Sequence, residues 1–412
     1  MGDRARSTSR DLERYAGLFA QRTQGMKSSA MRDLMAITER PDVISLAGGQ
    51  PDTSTFPPES YAALMSRIAA ESTARALQYG PTDGMAAVKD CIVEVMGSED
   101  MRVDPDDVLV TTGGQQVIDL MCKTFVDPGD VIVAEAPTYP GAVPSFGAYE
   151  ADVVQVSMDA DGMRIDELDT LLDRLEGEGR RPKFVYTVPS FQNPAGVTLS
   201  LPRRRALLEL AREFRFTIFE DDPYVDIRFR GEPLPSMLSL DDKADPVVVA
   251  AGSFTKTVCP GVRVGYLIGS TGVIGDIAKR AVNTYISPNM LSEVTVHQFC
   301  VTGDIDRSIA TVRAALSTRE SKLAEALRRE IPGCRFVEPD GGYFLWVELP
   351  DDIEVAKLFP AATARGVAVV KGSDFLLEGG AHSLRLAYSA VLTDQVDEGV
   401  ARLAAAVNDV RG

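Results

Sequence analysis

The sequence predicts an α/β protein: a large unit built on a mainly parallel, helix-covered sheet, followed by a smaller α+β C-terminal unit. Three observations predict it. From about residue 57, short apolar runs alternate with longer amphipathic segments, the pattern of strands separated by helices. Beyond about residue 288 the alternation gives way to long helices with a strand pair among them. The chain of 412 residues, at roughly 150 per domain, allows about two to three domains. The expected division is an N-terminal arm over 1–45, a large unit over 46–290 and a small unit over 291–412.

The first 33 residues hold Arg4, Arg6, Arg10, Arg14, Arg22 and Arg32 beside Asp3, Asp11 and Glu13, with no apolar core, which reads as an arm and not a secretion signal. The clearest strands are expected at 108–112, 131–134, 184–188, 217–220, 247–250 and 265–268. Helices are expected at 116–125 and at 202–214, where Ser200 sits as N-cap and Pro202 in the first turn. The C-terminal unit is expected to hold helices at 292–301, 306–330, 353–364 and 393–407 and a strand pair at 343–348 and 383–388. The charged stretch 176–181 reads as a surface loop.

Composition excludes several classes of function. With 45% hydrophobic and 25% charged residues the chain is an ordinary globular one. A net charge of −17 repels phosphate backbones and anionic membranes, so no nucleic-acid or membrane partner is expected. The longest apolar runs, such as 246–252, fall far short of a membrane span. Five scattered cysteines without a Cys-x-x-Cys pair suit a reducing cytoplasm better than a disulfide framework. Two histidines, His297 and His382, are too few for a histidine-rich metal centre, and both read as structural.

In open α/β sheets ligands bind at the carboxyl ends of strands, so chemistry is sought in the residues just beyond each strand. After 108–112 comes Gly113-Gly114-Gln115-Gln116 and a helix start, which could cradle an anion but is as readily a tight turn. After 184–188 comes Ser190-Phe191-Gln192-Asn193-Pro194, a stiff turn offering an amide side chain. After 217–220 come Asp221, Asp222 and Tyr224, a carboxylate and a phenol on the same rim. After 247–250 comes Ser253-Phe254-Thr255-Lys256, with Arg263 seven residues on: an amine nucleophile beside a phosphate clamp. Singly each could be loop decoration; jointly they are not, because every one follows a strand.

These motifs, together with Ser45-Leu46-Ala47-Gly48-Gly49, Leu77-Gln78-Tyr79, Pro137-Thr138-Tyr139 and Ser383-Leu384-Arg385, make the chain resemble the fold-type I, pyridoxal 5′-phosphate (PLP)-dependent class I/II aminotransferases. The nearest branch contains 2-aminoadipate aminotransferase, kynurenine aminotransferase II and the aminotransferase-like half of MocR regulators. The resemblance runs from about Met31 to the C-terminus and implies a seven-stranded large sheet. It implies that Lys256 forms the aldimine with PLP and then moves a proton, that Asp221 pairs with the ring nitrogen, and that Asn193 and Tyr224 reach the phenolic oxygen. Tyr139 would lie against the ring. Gly114, Gln115, Ser253, Thr255 and Arg263 would hold the phosphate, and Tyr79 would reach the phosphate of the neighbouring subunit, which implies a homodimer. Arg385 would fork onto the substrate α-carboxylate with Asn193 beside it, Gly49 would border the substrate, and Arg32 would meet an acidic side chain.

The implied reaction passes an amino group from an L-amino acid, through pyridoxamine phosphate, to a 2-oxo acid such as 2-oxoglutarate. The sequence also departs from the family pattern. Gln50 replaces an apolar residue in the Gly-Gly-Leu-Pro stretch, and Val370-Lys371-Gly372 replaces Val-x-Pro-Gly, putting a lysine near the expected substrate entrance. These departures would suit a PLP-dependent lyase or synthase of specialised metabolism, the alternative reading. A MocR-type regulator is disfavoured, since some 30 residues before the match are too few for a DNA-binding domain.

Overall fold

A computed structural model describes residues 14–15, 17–23, 40–55, 58–96 and 103–411. In chain order its strands are β1 (Ile44–Ser45), β2 (Val108–Thr111), β3 (Val131–Ala136), β4 (Asp152–Asp159), β5 (Gly162–Met163), β6 (Pro182–Thr187), β7 (Thr217–Asp221), β8 (Val248–Ser253), β9 (Gly265–Ile268), β10 (Phe344–Glu348), β11 (Val367–Ala368), β12 (Val370–Lys371) and β13 (Ser383–Ala387). The large sheet runs β2-β9-β8-β7-β6-β3-β4-β5. From β8 to β4 neighbours are parallel, β9 opposes both of its neighbours, and β5 folds back on β4. The sheet therefore has eight strands where seven were expected. The extra one is a two-residue hairpin return, formed because Gly162 takes a φ of +91° and the Asp159 side chain accepts from the Asp161 amide.

The central strands are short apolar runs because both faces are covered: every residue of β2 is buried, as are five of the six in β3 and in β6. Strand β4, near the sheet edge, is half-buried along most of its length with exposed ends and one buried residue, so a search for apolar runs passes over it. Behind the sheet Phe146, Phe184, Tyr186 and Phe219 pack edge-on, with ring centroids 5.3 to 5.8 Å apart. Tyr186 is one side of this cluster, and its hydroxyl emerges at the strand ends.

The C-terminal sheet is antiparallel, in the order β10-β13-β12. The helix Asp304–Glu330 packs against the helix Val396–Arg411 beneath it. The helix Met290–Val301 instead joins the apolar cluster of Val108, Val110 and Ile268 on the large sheet. Strand β1 pairs with β11, and the Ala387 amide donates to the Leu46 carbonyl at 2.7 Å. Residues 44–47 are thus stitched to the C-terminal sheet, and they deliver Ala47 to Gln50 to the rim of the large one. His382 Nδ1 lies 2.8 Å from the Ile353 carbonyl, well outside that rim. Among the described residues no helix is long and apolar enough to cross a membrane.

Candidate active site

The strand ends open onto a cavity of about 730 Å³. Gly49, Gln50, Gly114, Gln115, Tyr139, Asn193, Asp221, Tyr224, Ser253, Thr255, Lys256, Arg263 and Arg385 all line it. Every site residue expected from the sequence is therefore gathered there except Tyr79, which is 77% exposed elsewhere on the surface, and Arg32, which lies outside the described residues.

Local structure explains the gathering. The helix after β2 begins at Gly114, two residues earlier than expected, so the Gly114 and Gln115 amides fall in its first turn, outside the helix's own ladder. Gly113 caps it at a φ of +81°, and a Cβ there would lie 2.4 Å from Arg263 Nη2. Only glycine lets that guanidinium lie against the turn, where Nη2 donates to the Thr112 carbonyl at 3.4 Å. Ser253 ends β8, and its hydroxyl donates to Thr255 Oγ1 at 2.8 Å. First-turn amides, two hydroxyls and a guanidinium thus converge as an anion cradle.

Lys256 follows three residues beyond β8. Its Nζ sits 4.9 Å from the Tyr343 ring centroid and 5.4 Å from that of Tyr224. Burial, then the Arg385 and Arg263 guanidiniums, pull its ammonium down to about 8 against the attraction of Asp221. Burial pushes Asp221, the last residue of β7, up to about 6, although the Tyr186 hydroxyl donates to it at 2.7 Å and Lys256 is near. A carboxylate so placed gains strongly from a further cationic donor in the cavity. Burial also raises the phenols of Tyr224 and Tyr139, which stay protonated and available as donors.

Arg385 is 2% exposed on β13. Its Nη1 donates to Asn193 Oδ1 at 3.1 Å and its Nη2 to the Ala47 carbonyl at 2.7 Å, while its Nε has no protein partner. The guanidinium lies 4.3 Å from the Phe344 ring centroid and 4.9 Å from that of Phe375. A buried guanidinium with an unused N–H, held close to two aromatic rings beside a cavity, is suited to an anion. Gly49 borders the same space; a Cβ there would strike the Phe344 ring at 2.5 Å. The loop that carries Gly49 and Gln50 is anchored by the buried Asp52–Arg319 ion pair, and Arg319 also donates to the Ser389 carbonyl at 2.8 Å.

Lys371 does not reach the cavity lining. It pairs with Asp374 at 3.5 Å and lies 5.6 Å from the Phe359 ring centroid. On β12 it is held by its ion pair with Asp374 and its packing on Phe359, outside the residues that line the cavity. Sequence reasoning also missed Tyr186, Phe344, Phe375 and the Ala47 carbonyl. For Tyr186 a signal existed: a tyrosine next to the carboxyl end of a mostly buried strand. For the others none did, because their partners are remote in the chain.

The residues fit PLP on observations of their own: a glycine-shaped anion cradle, an amine held partly neutral, an acid raised by burial, and a guanidinium with an orphan N–H. Such a rim, at the carboxyl ends of a parallel sheet, defines a PLP-dependent transferase of fold type I. Comparison with known proteins narrows the class. The family model described as aminotransferase class I and II matches residues 41–403. The chain is 37% identical over 404 residues to aromatic-amino-acid aminotransferase 1 of Thermococcus litoralis, covering 97% of this chain and 95% of that one. It is 35% identical to 2-aminoadipate transaminase of Thermus thermophilus, covering 95% and 97% respectively. The structure superposes on Pyrococcus horikoshii kynurenine aminotransferase, solved with PMP, KYN and KYA, with a TM-score of 0.91 at 36% identity, covering 97% and 98%. The chain belongs to the class I and II aminotransferases and is a PLP-dependent enzyme of amino-group transfer. These relationships favour transamination over the lyase or synthase reading.

Proposed function

We propose that this aminotransferase takes its amino group from L-amino acids with long side chains, aromatic or 2-aminoadipate-like, and delivers it to 2-oxoglutarate. The observation that carries the reading is Arg385, a buried cation with an unused N–H at the wall of an aromatic-lined cavity. Its planar fork takes the α-carboxylate shared by all these substrates, and Asn193 holds the fork in plane. Tyr139, Phe344 and Pro140 give apolar surface for a long side chain, and Gln50 gives a polar end to it. The names of the related enzymes support the same substrate range.

When bound, PLP supplies an aldehyde for amine exchange and an electron-poor ring that takes up the charge left at the substrate Cα. Lys256 Nζ, buried and lowered to about 8, would hold the cofactor through its amine and, when free, would take up and return the proton at the substrate Cα. Asp221 keeps a proton on the ring nitrogen, and Tyr186 holds that carboxylate in line. Asn193 and Tyr224 would donate to the phenolic oxygen of PLP, and Tyr139 would pack against its ring. The amides of Gly114 and Gln115, Ser253, Thr255 and Arg263 bind the phosphate. The enzyme works as a homodimer in which Tyr79 serves the neighbouring site. Tyr79 and Leu77 are exposed beside Gly80, which packs on Met290, and Thr82, which donates to the Ile286 carbonyl at 2.5 Å. Leu77, Tyr79 and Ile286 are each exposed large apolar side chains, which supports a partner surface on this side of the chain.

A panel of amino acids added to the holoenzyme without keto acid tests the reading. Aromatic amino acids and 2-aminoadipate should discharge the visible absorbance of the bound cofactor, and 2-oxoglutarate should restore it. Arg385→Lys should raise KM for every donor on the order of 10²-fold, because a point charge cannot replace the fork. Indifference to that substitution, or reaction with small amino acids alone, overturns the proposal.

A further inference from the structure

Glu135 lies at the end of β3, is 0% exposed, and is not part of the cavity wall. No ion pair with Lys, Arg or His within 4 Å is seen for it among the described residues. Burying a carboxylate in this way is unfavourable by several kcal/mol unless donors satisfy it. Here three do. Its Oε1 accepts from the Thr187 hydroxyl at 2.5 Å, and its Oε2 accepts from the Val188 amide at 3.2 Å and from Gln192 Nε2 at 3.0 Å. Burial pushes the carboxyl up to about 7 against these donors, and the nearby Asp221 adds to the rise.

Gln192, itself buried, passes this constraint on in two directions. Nε2 also donates to the Pro137 carbonyl at 2.8 Å, which ties down the segment leading into Tyr139. Its Oε1 accepts from the Ala195 amide at 2.7 Å, and its backbone bonds Gly196 and Val197, closing the turn that presents Asn193. The far side of the same turn is gripped by Ser190, which donates to Asp222 at 2.7 Å and receives Arg204 at 3.3 Å. Asn193 is the next residue after Gln192, and its side chain meets Arg385.

We propose that Glu135 is a positioning residue: acting through Gln192, it sets the amide of Asn193 and the ring of Tyr139 against the cofactor and the substrate carboxylate. The inference rests on the reading above that Asn193 and Tyr139 face the cofactor. What Glu135 supplies is an acceptor at Oε2 for two converging donors. Glutamine can supply that too, since its amide oxygen can take the Oε2 place while its NH₂ meets the Thr187 hydroxyl.

Three holoenzyme variants test this, read by KM for the amino donor, by the pH midpoint of the cofactor's visible absorbance, and by melting temperature. Glu135→Leu and Gln192→Met should each raise KM about tenfold and shift the absorbance midpoint by about half a unit, with one cofactor still bound per chain. Glu135→Gln should return both readouts to within about twofold of the parent, as expected of an acceptor-geometry role. If Glu135→Leu fails to fold, Gln192→Met carries the test from the other end. Parental KM and midpoint in Gln192→Met, with only the melting temperature lowered, overturn the proposal, as does a Glu135→Gln enzyme as impaired as Glu135→Leu. Asn193→Ala separates the two readings: if it moves neither KM nor midpoint, the role of Asn193 fails, whatever Glu135 does.

Discussion

Lys256 shows what a single residue gives up for reactivity. Its amine is walled in by Tyr224 and Tyr343 and crowded by two guanidiniums, and its cation is disfavoured down to about pH 8. An unfolded lysine titrates near 10.5, so between these values the unfolded chain binds the extra proton and stability rises with pH. Below about pH 8 both states are protonated and the folded state carries the full penalty; above about 10.5 both are neutral and it vanishes. Lys256→Met should therefore stabilise the apoprotein on the order of 2 kcal/mol at pH 7, with the gain fading toward pH 10.5. Denaturant unfolding at the two pH values measures this. A variant no more stable than the parent at pH 7 would show that the amine is not desolvated. Asp221 is perturbed in the opposite charge sense by the same burial, so the cavity holds an amine and an acid that both titrate closer to neutrality than they would in water.

At the scale of the element, the site depends on where strands stop and helices start. The helix Gly114–Phe125 begins directly on the cradle, and β9 comes close behind it because Gly265 has no Cβ: one there would lie 2.8 Å from the Gly113 carbonyl carbon. Gly113→Ala places a methyl at positive φ, at roughly 1–2 kcal/mol of strain, and displaces the Arg263 guanidinium. Because the atom it meets is the tip of a flexible side chain, the main loss should be in cofactor affinity. We expect PLP affinity, measured by equilibrium dialysis, to fall by at least about tenfold with a modest drop in melting temperature. Unchanged affinity would remove Arg263 from the phosphate cradle. The motif reading placed this glycine pair correctly, yet by itself could not distinguish a cradle from a tight turn. The guanidinium of Arg263, 150 residues further on, lies against it and favours the cradle.

For the whole molecule the question is assembly. Leu77, Tyr79 and Ile286 are among the most exposed large apolar side chains on a highly acidic chain, a poor arrangement for a free monomer. Sedimentation at micromolar concentration should give twice the 44.5 kDa chain mass. Tyr79→Phe should keep that dimer and weaken cofactor binding about tenfold, as the loss of one hydrogen bond to a phosphate predicts. A monomer with a full complement of tightly held cofactor would rule out the shared site.

By itself the sequence determined the class of fold and the residues that follow each strand, while the cofactor was implied by the family resemblance those residues carry. These are local facts: an apolar run covered on both faces must be a buried strand, and polar residues at its carboxyl end must face the rim. Lys256, Asp221, Asn193 and the Gly113-Gly114 turn were legible in that way. Tertiary structure alone decided that Arg385 meets Asn193 and the Ala47 carbonyl, that Tyr186 supports Asp221, that Lys371 pairs with Asp374, and that Glu135 reaches Gln192. Those pairs are 35 to 338 residues apart, apart from the short-range pair that holds Lys371. Whether a buried polar group finds its partner depends on packing between elements, a property that no local pattern of residues encodes.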